Sequence, residues 1–163
     1  MKAIKTAAFF LIIGVRCFAQ DFWMQLEVPE DTGVYCVKGN STGETFLGAR
    51  GLHKSIDHGL NWLPTGFTEL TGTIDINLAN GDIYVGNHLG VFYSTDNVET
   101  WHATTFYDNA NIIFFSTNNN VFVGNWGRIY KSTDLGQTWE QVLELDNTPA
   151  KLIFTLRGSK NNR

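Results

Sequence analysis

Hydrophobic and β-branched residues along this chain come in short runs, each cut off by glycine, asparagine or aspartate. Short β-rich runs between turn-forming residues predict antiparallel strands joined by tight turns. Residues 34–38, 73–78 and 111–115 read as first strands, 45–48, 83–86 and 121–124 as second strands, and 52–55, 91–94 and 129–132 as third strands. Fourth strands are expected to begin at Trp62, Trp101 and Trp139. Four strands in each period of about 40 residues is the make-up of a propeller blade. The fold class expected is therefore all-β, a partial β-propeller of four-stranded antiparallel blades at about 33–68, 73–106 and 111–145. An ordinary β-sandwich would account for the strands but not for what recurs between them.

What recurs is an eight-residue stretch between third and fourth strands: SIDHGLNW at 55–62, STDNVETW at 94–101 and STDLGQTW at 132–139. A hairpin bend needs a residue at ease at positive φ and acceptors for the N–H groups it turns away from the sheet, and glycine and aspartate provide these. Asp57, Asp96 and Asp134 are expected to accept backbone N–H groups about two residues on, with Ser55, Ser94 and Ser132 bracing the entering strand. Gly59 and Gly136 should take the left-handed position. Val98 stands where those glycines stand, and a β-branched residue at positive φ is costly, so the middle turn is expected to be reshaped, with Asn97 in the special conformation. Trp62, Trp101 and Trp139 should each pack beneath its turn and against the neighbouring repeat. Equivalent aspartates on successive blades cannot converge on one site, and none has the acid-rich spacing of a calcium loop. No metal or cofactor is implied.

Read as S-x-D-x-G-x-T-W, these stretches resemble the Asp-box, or BNR repeat, of the sialidase-like propellers, a superfamily with sortilin-like and photosystem II assembly factor-like branches. The resemblance covers about residues 22–156 and implies fold more than activity. It also implies a ligand face at the end away from the Asp-boxes, where the turns between second and third strands place Arg50, His88, Trp126 and Arg128 as candidate binding residues. Sialidases hold a carboxylate with three arginines. Beyond residue 19 the chain has Arg50, Arg128, Arg157 and Arg163, two of them near its end, so sialidase chemistry is not expected. Glu69, Asp108 and Asp146 fall on connections at the same end, and nothing marks a pair of them as the two carboxylates of a glycosidase.

The ends change the picture further. Lys2 and Lys5 precede the apolar run 7–15 and the small residues Cys17 and Ala19, so residues 1–19 read as a secretory signal peptide. The run is far shorter than the ~20 apolar residues of a membrane span, and stable membrane insertion is not expected. Losing Lys2, Lys5 and Arg16 with that segment leaves 9 basic against 16 acidic residues, a formal charge of −7, which argues against nucleic acid as a partner. Cys36 is then the sole cysteine, read as a small buried strand residue.

Trp23 lies one full repeat before Trp62, so 22–28 is expected to be a closing strand donated to the last blade. Residues 151–156 start another blade, followed by a polar tail at 157–163. Three blades and a fragment read as an incomplete propeller, either a truncated reading frame or one completed by another copy or a second polypeptide. The function expected is that of an exported, non-catalytic module for binding a protein or glycan or for assembly. The alternative is a fragment of a secreted glycoside hydrolase, sialidase-like or xyloglucanase-like, without its catalytic residues.

Overall fold

The computed structural model describes residues 33–145. The expected signal segment at 1–19, the closing strand at 22–28, the partial blade at 151–156, the tail at 157–163 and Asp146 lie outside the described residues. Twelve strands form three four-stranded antiparallel sheets, and no helix occurs among the described residues. The first sheet holds β1 (Cys36–Gly39), β2 (Thr45–Ala49), β3 (Gly51–Ser55) and β4 (Leu63–Pro64). The second holds β5 (Thr73–Ile76), β6 (Ile83–Asn87), β7 (Gly90–Ser94) and β8 (His102–Ala103). The third holds β9 (Ile112–Phe115), β10 (Val121–Asn125), β11 (Arg128–Ser132) and β12 (Glu140–Glu144). Within each sheet the strands lie in chain order. This is the architecture of a partial β-propeller.

The register is the same in all three sheets. Cys36 pairs with Gly48, Thr73 with Gly86 and Ile112 with Gly124. The third strands each begin one residue before the expected start, which makes Arg128 the first residue of β11 rather than a turn residue. The fourth strands begin one residue after the tryptophans, because each tryptophan still belongs to the turn.

Alternation along β6 shows why the sheets stack. Ile83 and Val85 point to one face and join Phe46, Leu52, Phe67, Ile74 and Ile76 in a core shared with the first sheet. Tyr84 points to the other and joins Val91, Phe106, Ile113, Val121 and Val123 in a core shared with the third. A strand buried on both faces reads as a nearly continuous apolar run, and all five residues of β6 are buried, with polar Asn87 only at its end. The first strands meet edge to edge, where side chains take the place of a β-ladder. Thr73 Oγ1 accepts the Ile113 N–H at 3.3 Å, and Asp75 Oδ2 accepts the Phe115 N–H at 2.8 Å. Lys38 Nζ lies 2.6 Å from Asp75 Oδ1 and ties β1 to the same carboxylate.

Trp101 and Trp139 each pack on the connection that enters their sheet. Trp101 lies 4.8 Å from Phe67 between ring centroids, and Trp139 lies 5.2 Å from Phe106. Phe67 and Phe106 stand one repeat apart, and their carbonyls accept the N–H groups of Leu52 and Val91 at 3.0 and 3.2 Å. The connections are thus stitched to the third strand of the sheet they leave, while their rings serve the next sheet.

Candidate functional site

The three recurring turns satisfy themselves. In each, the serine hydroxyl donates to the aspartate, at 2.8, 2.8 and 2.7 Å for Ser55–Asp57, Ser94–Asp96 and Ser132–Asp134. The same oxygen accepts the N–H four residues on, from Gly59, Val98 and Gly136 at 2.8, 2.9 and 2.8 Å. The carboxylates also reach four residues on, not the two expected: Asn61, Thr100 and Thr138 each donate their N–H at 2.9 Å and their side chain to the second oxygen. Those side-chain bonds are the largest cause holding all three carboxyls down at about 2. With their acceptor positions occupied, the aspartates are turn braces. Among the described residues no group of three or more acids, histidines or cysteines is placed to hold a metal.

The middle turn corrects one expectation. Asn97 does take positive φ, at 58°, but Val98 does so as well, at 73°. The turn is not reshaped, since its neighbours also use two consecutive left-handed residues, His58–Gly59 and Leu135–Gly136. Val98 tolerates the backbone because its side chain is buried in the core between the first and second sheets.

In an antiparallel sheet the bends alternate ends, so the recurring turns share an end with the turns after the first strands. A cleft of about 460 Å³ lies there, lined by Lys38, Asp75, Ile76, Leu78, Phe114 and Phe115 among others. Its charged pair is already matched internally through Lys38, Asp75 and the Phe115 N–H.

The opposite end carries the sequence candidates. Arg50, His88 and Trp126 are exposed in the equivalent bends of successive sheets, with Trp126 at 59%. No hydrogen bond or ring contact joins the three to one another. Arg50 forms a backbone bridge with Leu70, and Arg128 is engaged at 3.0 Å by Glu144, its cross-strand partner. What does converge is Asp108, noted from sequence only as a connection carboxylate, with Asn125, which was not singled out. Asn125 Nδ2 donates to Asp108 Oδ2 at 2.9 Å, which brings the bend holding Trp126 against the connection holding Tyr107, itself 77% exposed. Beside it the Ala110 N–H donates to the Asn87 carbonyl at 2.9 Å, and the Asn111 N–H to the Gly124 carbonyl at 3.0 Å. Asn87 and Asn125 occupy the same place in successive repeats, each ending a second strand, and that shared position was the one signal available in the sequence.

No protein-family profile matches the chain, and no curated protein matches it. Solved structures do, at the level of fold. YCF48 from Cyanidioschyzon merolae superposes with a TM-score of 0.62 at 17% identity, over 73% of this chain and 39% of that one. An ancestral GH74 enzyme, AFV00434, gives 0.57 at 20% identity, over 65% and 18%. The GH74 xyloglucanase from Xanthomonas campestris gives 0.58 at 16% identity, over 68% and 22%. These likenesses define a propeller-like protein, and the chain spans well under half the length of each of these three structures.

Proposed function

We propose that this chain is an exported, non-catalytic binding module made of Asp-box propeller sheets, with its ligand face at the end opposite the recurring turns. The observation that carries the proposal is the division of labour between the two ends. One end spends its carboxylates on closing bends, while the other presents Trp126, Tyr107 and His88 to solvent. The motif S-x-D-x-G-x-T-W and its hydrogen bonds support the Asp-box assignment, and the N-terminal sequence supports export. Binding is also the use to which one fold neighbour is put: a YCF48 structure holds a D1 peptide. Alanine substitution of His88, Tyr107 and Trp126 together should abolish capture of the cognate ligand and leave the thermal melt unchanged. Retained capture by the triple variant would refute the ligand face.

The likeness to GH74 enzymes supports a second reading, part of a secreted glycoside hydrolase. Asp108 is committed to Asn125 and to the Asn109 N–H at 2.7 Å, so no free carboxylate pair is offered at this end by the described connections. Incubation with xyloglucan is expected to release no reducing ends, and turnover lost in Asp108→Asn would establish the hydrolase instead.

The outer flank of the third sheet supports a partner for assembly. Phe122 and Ile129 are half-buried there, in the register positions where Tyr84 and Val91 of the second sheet are buried by the next one. That flank accepts a further sheet, whether supplied by this polypeptide, another copy or a second chain. Concentration-dependent association in light scattering, weakened by Ile129→Lys, is the expected outcome, and a strictly monomeric protein at all concentrations would exclude self-association.

A further inference from the structure

The outer face of the first sheet, turned away from the second, is covered although no described strand lies across it. Leu47 and His53 are cross-strand partners on that face and are 2% and 7% exposed. Phe46 and Leu52 take the opposite face and fill the core shared with the second sheet. Outside its own sheet, the described strand that the first sheet contacts is β5, on that same inner side. Neighbouring strands within a sheet leave both of its faces open, so a large apolar residue there is buried by something stacked on it. Beside Leu47, His53 Nδ1 and Trp62 Nε1 are also closed to solvent, with no hydrogen-bond partner among the described residues.

The equivalent place in the second sheet shows what fills such a socket. His53 and Trp62 stand where Phe92 and Trp101 stand one repeat later. Phe67, from the connection entering the second sheet, packs on both of those rings, at 5.4 and 4.8 Å between centroids. Trp101 Nε1 is closed off there just as Trp62 Nε1 is. Phe67 follows Trp62 by five residues, Phe106 follows Trp101 by five, and Val28 follows Trp23 by five. The cover on the first sheet is narrower than a sheet. Val37 shares a face with Leu47 yet is 58% exposed, whereas its equivalent Ile74 is 7% exposed beneath the first sheet.

We propose that the chain before Gly33 straps this flank, with Val28 seated between His53 and Trp62. The inference stands apart from the ligand face and concerns the flank opposite the one offered above for assembly. A second copy docking here through its third sheet would bring a whole sheet and cover Val37 along with Leu47. Residues 151–156, expected as a first strand, would lie beside β1 and cover Val37 first. A single strap over the outer strands covers Leu47 and His53 and leaves Val37 open, as observed. The five steps from Val28 to Gly33 reach at most about 18 Å, and first and fourth strands of a sheet lie about 14 Å apart, so the segment is long enough to reach Trp62. Seated there, it shields the apolar flank of an open propeller from water and from other chains.

A double-mutant cycle in the full chain tests the seat. Val28→Ala should lower the melting temperature by about 3 °C or more, and by less than about 1 °C once Trp62→Ala has opened the socket. In a Trp101→Ala background the loss from Val28→Ala should keep its full size, because that tryptophan belongs to the next socket. His53→Ala serves as the background if Trp62→Ala does not fold. Equal losses from Val28→Ala in every background, or no loss in any, would overturn the proposal. Coupling of Phe154→Ala to Trp62→Ala in place of Val28→Ala would assign the seat to residues 151–156 and overturn the strap. Coupling between Val28 and Trp62 that fades on dilution would assign it to a second copy, with the same result.

Discussion

Val98 offers a measurement in which alanine and glycine should cost the same, against the usual order. It sits at φ 73°, where Gly59 and Gly136 sit at 88° and 94°, and it is 6% exposed in the core between the first two sheets. Left-handed backbone costs an L-residue about 1–2 kcal/mol. Val98→Ala deletes two buried carbons, a loss of about 1.6 kcal/mol, and retains most of that backbone cost. Val98→Gly deletes a third carbon, about 0.8 kcal/mol more, and adds up to about 1 kcal/mol of unfolded-state freedom. Against this it recovers the about 1–2 kcal/mol of backbone cost. Both variants are therefore expected to be destabilised by about 1.5–2.5 kcal/mol. At an ordinary φ the glycine variant would be the worse by a further ~1.5 kcal/mol. Urea denaturation of the wild type and both variants, at equal m-values, measures the comparison. A glycine variant more than about 1 kcal/mol less stable than the alanine variant would refute both the left-handed backbone and the account of why the turn keeps its shape.

Three further outcomes follow from the same geometry. At Gly136 an added Cβ would meet Thr104 Cγ2 at 2.7 Å with φ at +94°, so Gly136→Ala should lose about 2–4 kcal/mol. Thr104→Ser removes the clashing methyl and should return part of that loss, and no rescue in the double mutant would contradict the contact. Asp57, Asp96 and Asp134 have folded-state values lowered from 3.8 to about 2. The turns therefore contribute stability that is fully present above the unfolded value and lost as pH falls through about 2. Melting temperature should be flat down to about pH 4 and fall below it, less steeply in Asp134→Asn, and a fall centred near pH 6 would exclude these groups as its cause. Trp139→Ala removes the ring on Phe106 and a 3.2 Å bond to the Gly136 carbonyl, for a loss of about 3 kcal/mol. Arg128→Ala breaks one exposed ion pair and should stay within about 0.5 kcal/mol, so equal losses in the two thermal melts would refute the division between structural and solvent-facing residues.

Much of the fold was legible because its information is local. A nearly constant repeat length, short β-rich runs and turn residues at fixed offsets place strands without knowledge of what lies across from them. The serine, aspartate and following donors of each turn lie within a few residues of one another, so the presence of a hydrogen-bonded bend follows from sequence even where the expected offset did not. Tertiary structure decided what depends on neighbours. Val98 keeps a costly backbone only because the adjacent sheet buries its side chain. Phe67 and Phe106 matter because Trp101 and Trp139 rest on them from the next sheet. The site depends most on such context. Asn87 and Asn125 look alike as strand-end asparagines in the chain, and only packing reveals that Asp108 takes the amide N–H of the second while that of the first has no partner among the described residues. Periodicity reports which positions are equivalent, but whether a polar atom at such a position is satisfied depends on donors and acceptors from other sheets, whose approach the linear sequence does not encode locally.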